Sequence, residues 1–344
     1  MNKIYPWHLE VWKKLQQDSQ RLPHALLLHG QAGIGKYDFA LNLSRALLCS
    51  NPTEEVFACE ACSSCNWFIE GNHPDFNLLS PAQEADSEDE TVTAKKTKKK
   101  TQISVSQIRE LASFTCLSSH RSDGVRIILI HPAEALNTAS ANALLKMLEE
   151  PSPGVVFILV SHQIQRLLPT ILSRCHKIAM PIPNGSDAMA WLSTQGINNA
   201  EAQLDYLEGS PIKVMEQQNE FSQLKEVWRL LALGENLQPH IGALALVANS
   251  AEFGIIAIQK WLYDVAAMRL SKQIRYHTGL SKTFQELAEK VHLNRLFDLQ
   301  KKADELRKLA NHPLNHELQM ESLLLEYTKI FQALKITKIS STIN

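Results

Sequence analysis

His24-Ala-Leu-Leu-Leu-His29-Gly30-Gln-Ala-Gly-Ile-Gly-Lys36-Tyr37 is the stretch on which the fold turns. His24 to His29 is a short apolar run with the length of a buried strand. Gly30–Lys36 spells the glycine loop that follows such a strand when backbone N–H groups cradle phosphates and a lysine reaches the outer ones. From Tyr37 to Leu48, the spacing of Phe39, Ala40, Leu43, Ala46 and Leu47 predicts an amphipathic helix. Strand, glycine loop and helix in that order are the context in which the motif carries meaning. One position breaks the pattern. A magnesium-binding Ser or Thr should follow the lysine, and Tyr37 stands there. Two readings follow: an ATPase with an odd loop, or a nucleotide-binding fold whose own hydrolysis has been lost.

Working outward, Phe76-Asn-Leu-Leu79, Val125–Ile130 and Val155–Val160 are further short β-rich runs, and a helix is predicted between the last two, from Ser140 to Glu149, closed by Glu150-Pro151. Apolar runs without alternation, separated by helices, argue for a parallel sheet covered on both faces. An ATPase needs a second strand that ends in an acid to hold magnesium and orient water. The candidate, Val125–Ile130, ends in His131-Pro132, and Glu134 is expected to face away. Two independent metal contacts are therefore missing, and hydrolysis by this chain alone is not expected.

Cys59-x2-Cys62-x2-Cys65, with Cys49 upstream, offers four thiols between positions 49 and 65. A structural zinc ion takes four soft ligands in a tetrahedron, and short Cys-x2-Cys knuckles supply them in pairs. A redox pair is the competing reading of a single Cys-x2-Cys, but the third and fourth cysteines favour zinc. Cys116 and Cys175 lie apart and read as ordinary buried thiols.

Residues 81–102 form a low-complexity insert, in which Glu84, Asp86, Glu88, Asp89 and Glu90 precede Lys95, Lys96, Lys98, Lys99 and Lys100. Such blocks bury too little apolar surface to order themselves, so a solvated loop is expected. Pro181-Ile-Pro-Asn-Gly-Ser186 reads as a linker. Beyond it, short helices are predicted at Ala188–Gln195, Ala200–Glu208 and Ile212–Gln218. Longer amphipathic ones follow at Leu224–Leu233, Ile255–Ile274, Phe284–Leu309 and Glu317–Leu334. No catalytic cluster appears there; the tail reads as a helical interaction domain.

The bulk properties are those of an ordinary globular chain: 344 residues, 44% hydrophobic, 21% charged, net charge −1. A polycation that coats nucleic acid is excluded, so any DNA contact would be local or shared with partners. No apolar run approaches the roughly 18–20 residues that span a bilayer, and the first residues lack the apolar core of a signal peptide. A cytoplasmic location with reduced thiols is the expectation.

Taken together and in order, the glycine loop, the cysteine knuckle, Gly71-Asn-His-Pro-Asp75, Ala141-Asn-Ala-Leu-Leu-Lys-Met-Leu-Glu-Glu-Pro151 and Ser173-Arg-Cys175 resemble the clamp-loader branch of the AAA+ proteins. Alone, Ser-Arg-Cys would read as a surface arginine in a turn. The resemblance implies an α/β AAA+ P-loop domain, a parallel sheet with flanking helices, over 1–178. It implies a small helical lid over 179–222 and an all-α collar over 223–344 that joins five subunits in a ring. Further, it implies a non-hydrolysing stator of the bacterial DNA polymerase III clamp loader, in which Arg174 acts as an arginine finger in trans on a neighbour's ATP. Zinc would be held by Cys49, Cys59, Cys62 and Cys65. Partners would be the motor subunits (gamma or tau) and the delta subunit, with the sliding clamp and primer-template DNA reached through the complex, and no membrane. Weak binding of ATP or ADP at Gly30, Gly33, Gly35 and Lys36 stays open. The lid departs from the motor pattern: in Gly209-Ser-Pro-Ile-Lys213 the cation comes one position late for reading a γ-phosphate. The alternatives are an ATP-hydrolysing motor subunit, disfavoured by Tyr37 and His131, and a zinc-dependent nucleic-acid module, disfavoured by the charge and by the lack of an aromatic–basic stripe.

Overall fold

Three runs of β-branched and leucine residues form the centre of a five-stranded parallel sheet. The strands are β1 (Ala25–His29), β2 (Phe76–Leu79), β3 (Arg126–Ile130), β4 (Val155–Ser161) and β5 (His176–Ala179), ordered β2-β3-β4-β1-β5. This is a computed structural model, and it describes residues 4–17, 22–81, 102–116, 124–310, 312 and 314–332. The body of the charged insert, 82–101, lies outside the described residues.

Alternation explains why the central strands carry no polar face. Leu26, Leu28, Ile127, Leu129, Val156, Ile158 and Val160 pack into one layer, while Ala25, Leu27, Ile128, Ile130, Val155, Phe157 and Leu159 pack into the other. Period-2 side chains thus feed two cores. Fully burying each such leucine or isoleucine contributes about 1.5–3 kcal/mol. One layer is closed by α1 (Leu9–Gln17) and α2 (Lys36–Leu48) through Trp12, Phe39 and Leu43. Beyond α2, α3 (Ser63–Ile69) carries the cysteine knuckle. The other layer is closed by α4 (Val105–Cys116), α5 (Thr138–Glu149) and α6 (Pro169–Leu172) through Ile108, Leu144, Leu148 and Ile171.

Register places the site. Leu28 pairs with Val160 and His29 with Ser161, while Ile130 pairs with Leu159. The C-terminal ends of β1, β3 and β4 therefore deliver Gly30, His131 and His162 to one edge of the sheet. The edge strand β5 was not foreseen. Its His176 and Lys177 are exposed and carry no apolar signal; it exists because its backbone pairs with β1 from Leu26 to His29.

Two compact units make up the chain, Met1–Asp187 and Ala188–Asn344. Among its described residues the second carries helices only: the end of α7 (Gly185–Thr194), then α8 (Glu201–Tyr206), α9 (Pro211–Glu216), α10 (Gln218–Leu231), α11 (Pro239–Val247), α12 (Ala251–Ser271), α13 (Ser281–Lys290), α14 (Leu293–Leu309) and α15 (His316–Lys329). Ala188, Leu204 and Val214 share one hydrophobic cluster with Trp228, Trp261, Leu296 and Tyr327. A polar relay runs through it. Trp261 Nε1–H donates to the Tyr327 hydroxyl at 2.9 Å, and that hydroxyl donates to the Leu231 carbonyl at 2.7 Å. The single helix expected over Phe284–Leu309 is two helices. Val291 and His292 turn extended, and the His292 N–H donates to the Ile330 carbonyl at 2.9 Å instead of continuing the helical ladder. The α11 helix was also unforeseen; Pro239 opens it at the first helical position, where its missing N–H costs nothing. Among the described residues, no single helix is long and apolar enough to cross a membrane.

Candidate functional site

The glycine loop keeps the backbone shape of a phosphate cradle. Gly33 and Gly35 sit at φ +79° and +87°, in the left-handed region that favours glycine. A Cβ on Gly30 would lie 3.0 Å from the Met180 carbonyl oxygen, so that position too admits only glycine comfortably. Gly35 caps α2, and Lys36 is its first residue. The lysine is 2% exposed, and its Nζ donates to the Gln31 carbonyl within the loop. From outside, Trp7 Nε1–H donates to the Ile34 carbonyl at 2.9 Å, and the Tyr5 hydroxyl donates to Asp38 Oδ2 at 2.7 Å. His8 lies fully buried beside Phe39, with no hydrogen-bond partner on either ring nitrogen. Burial, and secondarily the charge of Lys36, lower its pKa to about 4.

Where the loop hydroxyl and the strand-end acid should meet a metal, two rings meet instead. Tyr37 stacks on His131 with ring centroids 4.4 Å apart and planes inclined by 27°. The other face of the sheet edge brings His162 to His131, Nε2 to Nε2 at 3.3 Å. Burial holds the His131 pKa below its usual value. Contrary to the expectation that it faces away, Glu134 turns back to this edge: its Oε1 accepts the His162 backbone N–H at 2.9 Å, bracing the ends of β3 and β4, while its Oε2 is buried with no hydrogen-bond partner. His162 is a site residue that the sequence reading missed. Its place one residue past β4, on a strand parallel to β3, was the available signal.

The four cysteines come together. Cys49 caps the end of α2, Cys62 caps the start of α3, Cys65 lies in its first turn, and Cys59 lies in the loop between them. Their Sγ atoms all fall within 4.8 Å of one another. Individual separations are 3.6 Å for Cys49–Cys65, 3.9 Å for Cys49–Cys62 and 4.0 Å for Cys59–Cys65. A tetrahedron with metal–sulfur bonds of about 2.3 Å has edges of about 3.8 Å, so the donor set fits an ion such as zinc. Burial alone would raise the Cys62 pKa, but N–H groups of Cys65 and Ser50 on its sulfur draw it down to about 6. Burial and hydrogen bonds to Cys62 and Cys49 push Cys65 up to about 12. Among the described residues no other group of three or more His, Cys, Asp or Glu could hold a metal.

Gly71-Asn-His-Pro-Asp75 locks this knuckle to the sheet. The Asp75 N–H donates to His73 Nδ1 at 3.0 Å, which leaves the proton on Nε2 to donate to Ser64 Oγ at 2.8 Å. Ser64 passes its own proton to the Leu48 carbonyl at 2.6 Å, one residue before Cys49. Asp75 in turn lies 3.9 Å from buried Arg126 of β3. The chain of contacts fixes both helix ends that present thiols.

Arg174 follows α6 and is 33% exposed at the side-chain level. Its Nη1 donates to the Thr170 carbonyl at 2.9 Å and to Ser173 Oγ at 3.2 Å, and its Nη2 lies 2.5 Å from Glu149 Oε1. The next residue, Cys175, drops into the core, with its thiol pKa raised by burial to about 11. Lys213 is the third residue of α9, in the second unit.

A profile of the family described as DNA polymerase III, delta subunit, matches residues 7–184. The DNA polymerase III subunit delta′ of Pseudomonas aeruginosa is 30% identical over 342 residues, covering 96% of this chain and 99% of that one. The chain belongs to the DNA polymerase III delta′ subunit family. The Escherichia coli delta′ subunit is 33% identical over 213 residues, 60% of this chain and 58% of that protein. Among solved structures, a DNA polymerase III gamma subunit-related protein from Thermotoga maritima aligns over 93% of this chain and 99% of its own at 17% identity, with a TM-score of 0.44. The family match ends close to the last strand, so it covers the glycine loop, the cysteine cluster and Arg174 together.

Proposed function

We propose that this chain is the non-hydrolysing stator of the DNA polymerase III clamp loader. In this reading it sits beside motor subunits of the gamma or tau type and a delta subunit in the cytoplasm, and reaches the sliding clamp and primed DNA through that assembly. The observation that carries the reading is the Tyr37–His131 stack at 4.4 Å. Magnesium needs oxygen ligands at the end of the P-loop and at the end of the neighbouring strand. Both positions here hold rings that pack on one another, and the two nearby carboxylates each hold a hydrogen bond of their own, Glu134 from the His162 N–H and Asp38 from the Tyr5 hydroxyl. The cradle is kept as architecture and its metal chemistry is gone.

What the chain supplies instead is Arg174. A planar, permanent cation at a domain edge can stabilise charge on the γ-phosphate of an adjacent subunit's ATP. In the reconstituted complex, Arg174→Ala should lower ATP turnover at the affected site by up to about 10³-fold. An unchanged rate would remove the finger from the mechanism.

The knuckle is assigned a structural zinc ion. The group, when bound, supplies cross-linking of α2 to α3 and no reaction chemistry. Elemental analysis should find one zinc per chain in the wild type and none in Cys62→Ser; metal-free wild-type protein would refute the assignment.

A second reading, weak binding of ATP or ADP without turnover, is favoured by one observation: Gly30, Gly33, Gly35 and Lys36 retain the cradle geometry. Calorimetric titration with ADP, repeated on Lys36→Ala, tests it; equal signals from both proteins would contradict it.

A further inference from the structure

Two short motifs that look unrelated in sequence meet in the fold. Leu-Glu-Glu-Pro closes α5, and Ser-Arg-Cys follows α6. Leu144 and Leu148 anchor the first in the same buried layer that receives Ile171 and Cys175 from the second. Each exposed charged residue is therefore flanked by a side chain locked in the core. Glu149 and Arg174 are held facing one another, Oε1 to Nη2 at 2.5 Å.

Glu149 is a poor choice for its own helix. It is the last residue of α5, where the helix presents unpaired carbonyls and favours a cation. Arg174 compensates by bringing its guanidinium to that end. The pair also settles the arginine's attitude. A half-exposed arginine has several rotatable bonds, and a surface turn would leave it in many rotamers. Here one Nη is tied to the Thr170 carbonyl and Ser173 Oγ, and the other to the carboxylate. Planar, forked donors tied on both branches leave one orientation of the guanidinium.

We propose that Glu149 is the positioning residue for Arg174, presenting the guanidinium to the triphosphate of the neighbouring subunit; this rests on the arginine-finger reading above. Glu149 is 47% exposed, so solvent screens the pair and keeps it weak enough to exchange. When a γ-phosphate arrives, Nη2 moves from the carboxylate to a phosphate oxygen while Nη1 keeps the Thr170 carbonyl. No covalent bond changes and no proton moves. The two motifs thus form one device: α5 aims what α6 carries.

The test uses the complete reconstituted complex and a double-mutant cycle on ATP turnover with primed DNA and clamp. Glu149→Ala should lower kcat by about 2- to 5-fold, the range that a screened ion pair allows, with KM for ATP unchanged. Glu149→Gln, which keeps the acceptor and the shape, should fall between wild type and Glu149→Ala. In an Arg174→Ala background, Glu149→Ala should have no further effect, because it acts only through the arginine. A rate that is unchanged or raised by Glu149→Ala while Arg174→Ala is slow would overturn the proposal and spare the finger. An equal loss in the Arg174→Ala background would overturn it by showing a general structural role. No loss from Arg174→Ala itself would take both readings down.

Discussion

Two edges of the same sheet domain differ in what has been kept. At the glycine loop, the backbone has kept its shape while the side chains that would do chemistry have changed: a ring stands at Tyr37, and another at His131, stacked at 4.4 Å. At the α5–α6 edge the backbone is an ordinary helix end and a turn, yet the side chains are charged and paired. The difference teaches that the backbone shape of a phosphate cradle and the side chains around it are separable. A fold can keep the first for packing while the second change. The cradle is bound into the core by Trp7, Phe39 and Ile34, so losing its shape would cost stability even if no nucleotide ever entered.

If that division is right, substitutions at the two edges should fail in different ways. The widest contrast lies between Lys36→Ala and Arg174→Ala in the assembled complex. The second should reduce turnover by up to about 10³-fold, and the first by less than about twofold. Similar losses from both would erase the distinction.

Acid should act on the loop side. His8 has a folded pKa of about 4 against an unfolded value near 6.5, because burial disfavours its charged form. The folded state then binds fewer protons than the unfolded one between those values. Stability is full above about pH 6.5 and falls as pH drops toward 4, by up to about 3 kcal/mol. His131, also lowered by burial, adds in the same direction. Urea unfolding midpoints at pH 7 and pH 4.5 should diverge for the wild type and lie closer together for His8→Phe, which keeps the packing and removes the titration. An unaltered pH slope in His8→Phe would place the acid sensitivity elsewhere.

The smallest effect is expected at Tyr37. Removing its ring forfeits the stack on His131, a loss of about 1 kcal/mol of stability. The melting temperature of Tyr37→Ala should fall by a few degrees while turnover by the complex stays put. A clear fall in turnover would mean that the ring takes part in function.

Much of this arrangement is legible in the amino-acid order because it is local. Gly30–Lys36 fixes its own loop, the runs at Arg126 and Val155 are buried on both faces, and the cysteine spacing brings its own ligands together. What escaped the sequence depends on partners far along the chain. His176 and Lys177 form a strand only because β1 offers a free edge. Val291 and His292 interrupt a helical pattern because the Ile330 carbonyl accepts the His292 N–H. His162 matters only through the register of β3 and β4, and Glu149 only through the fold of α6 onto α5. Motif and period report the first kind of constraint, and tertiary pairing decides the second.

The central claim is that this chain hydrolyses no ATP of its own. Steady-state turnover of the purified chain with magnesium and ATP tests it most directly. The account predicts a rate equal to the protein-free blank and unaltered by Lys36→Ala. Sustained magnesium-dependent turnover that Lys36→Ala abolishes would contradict it.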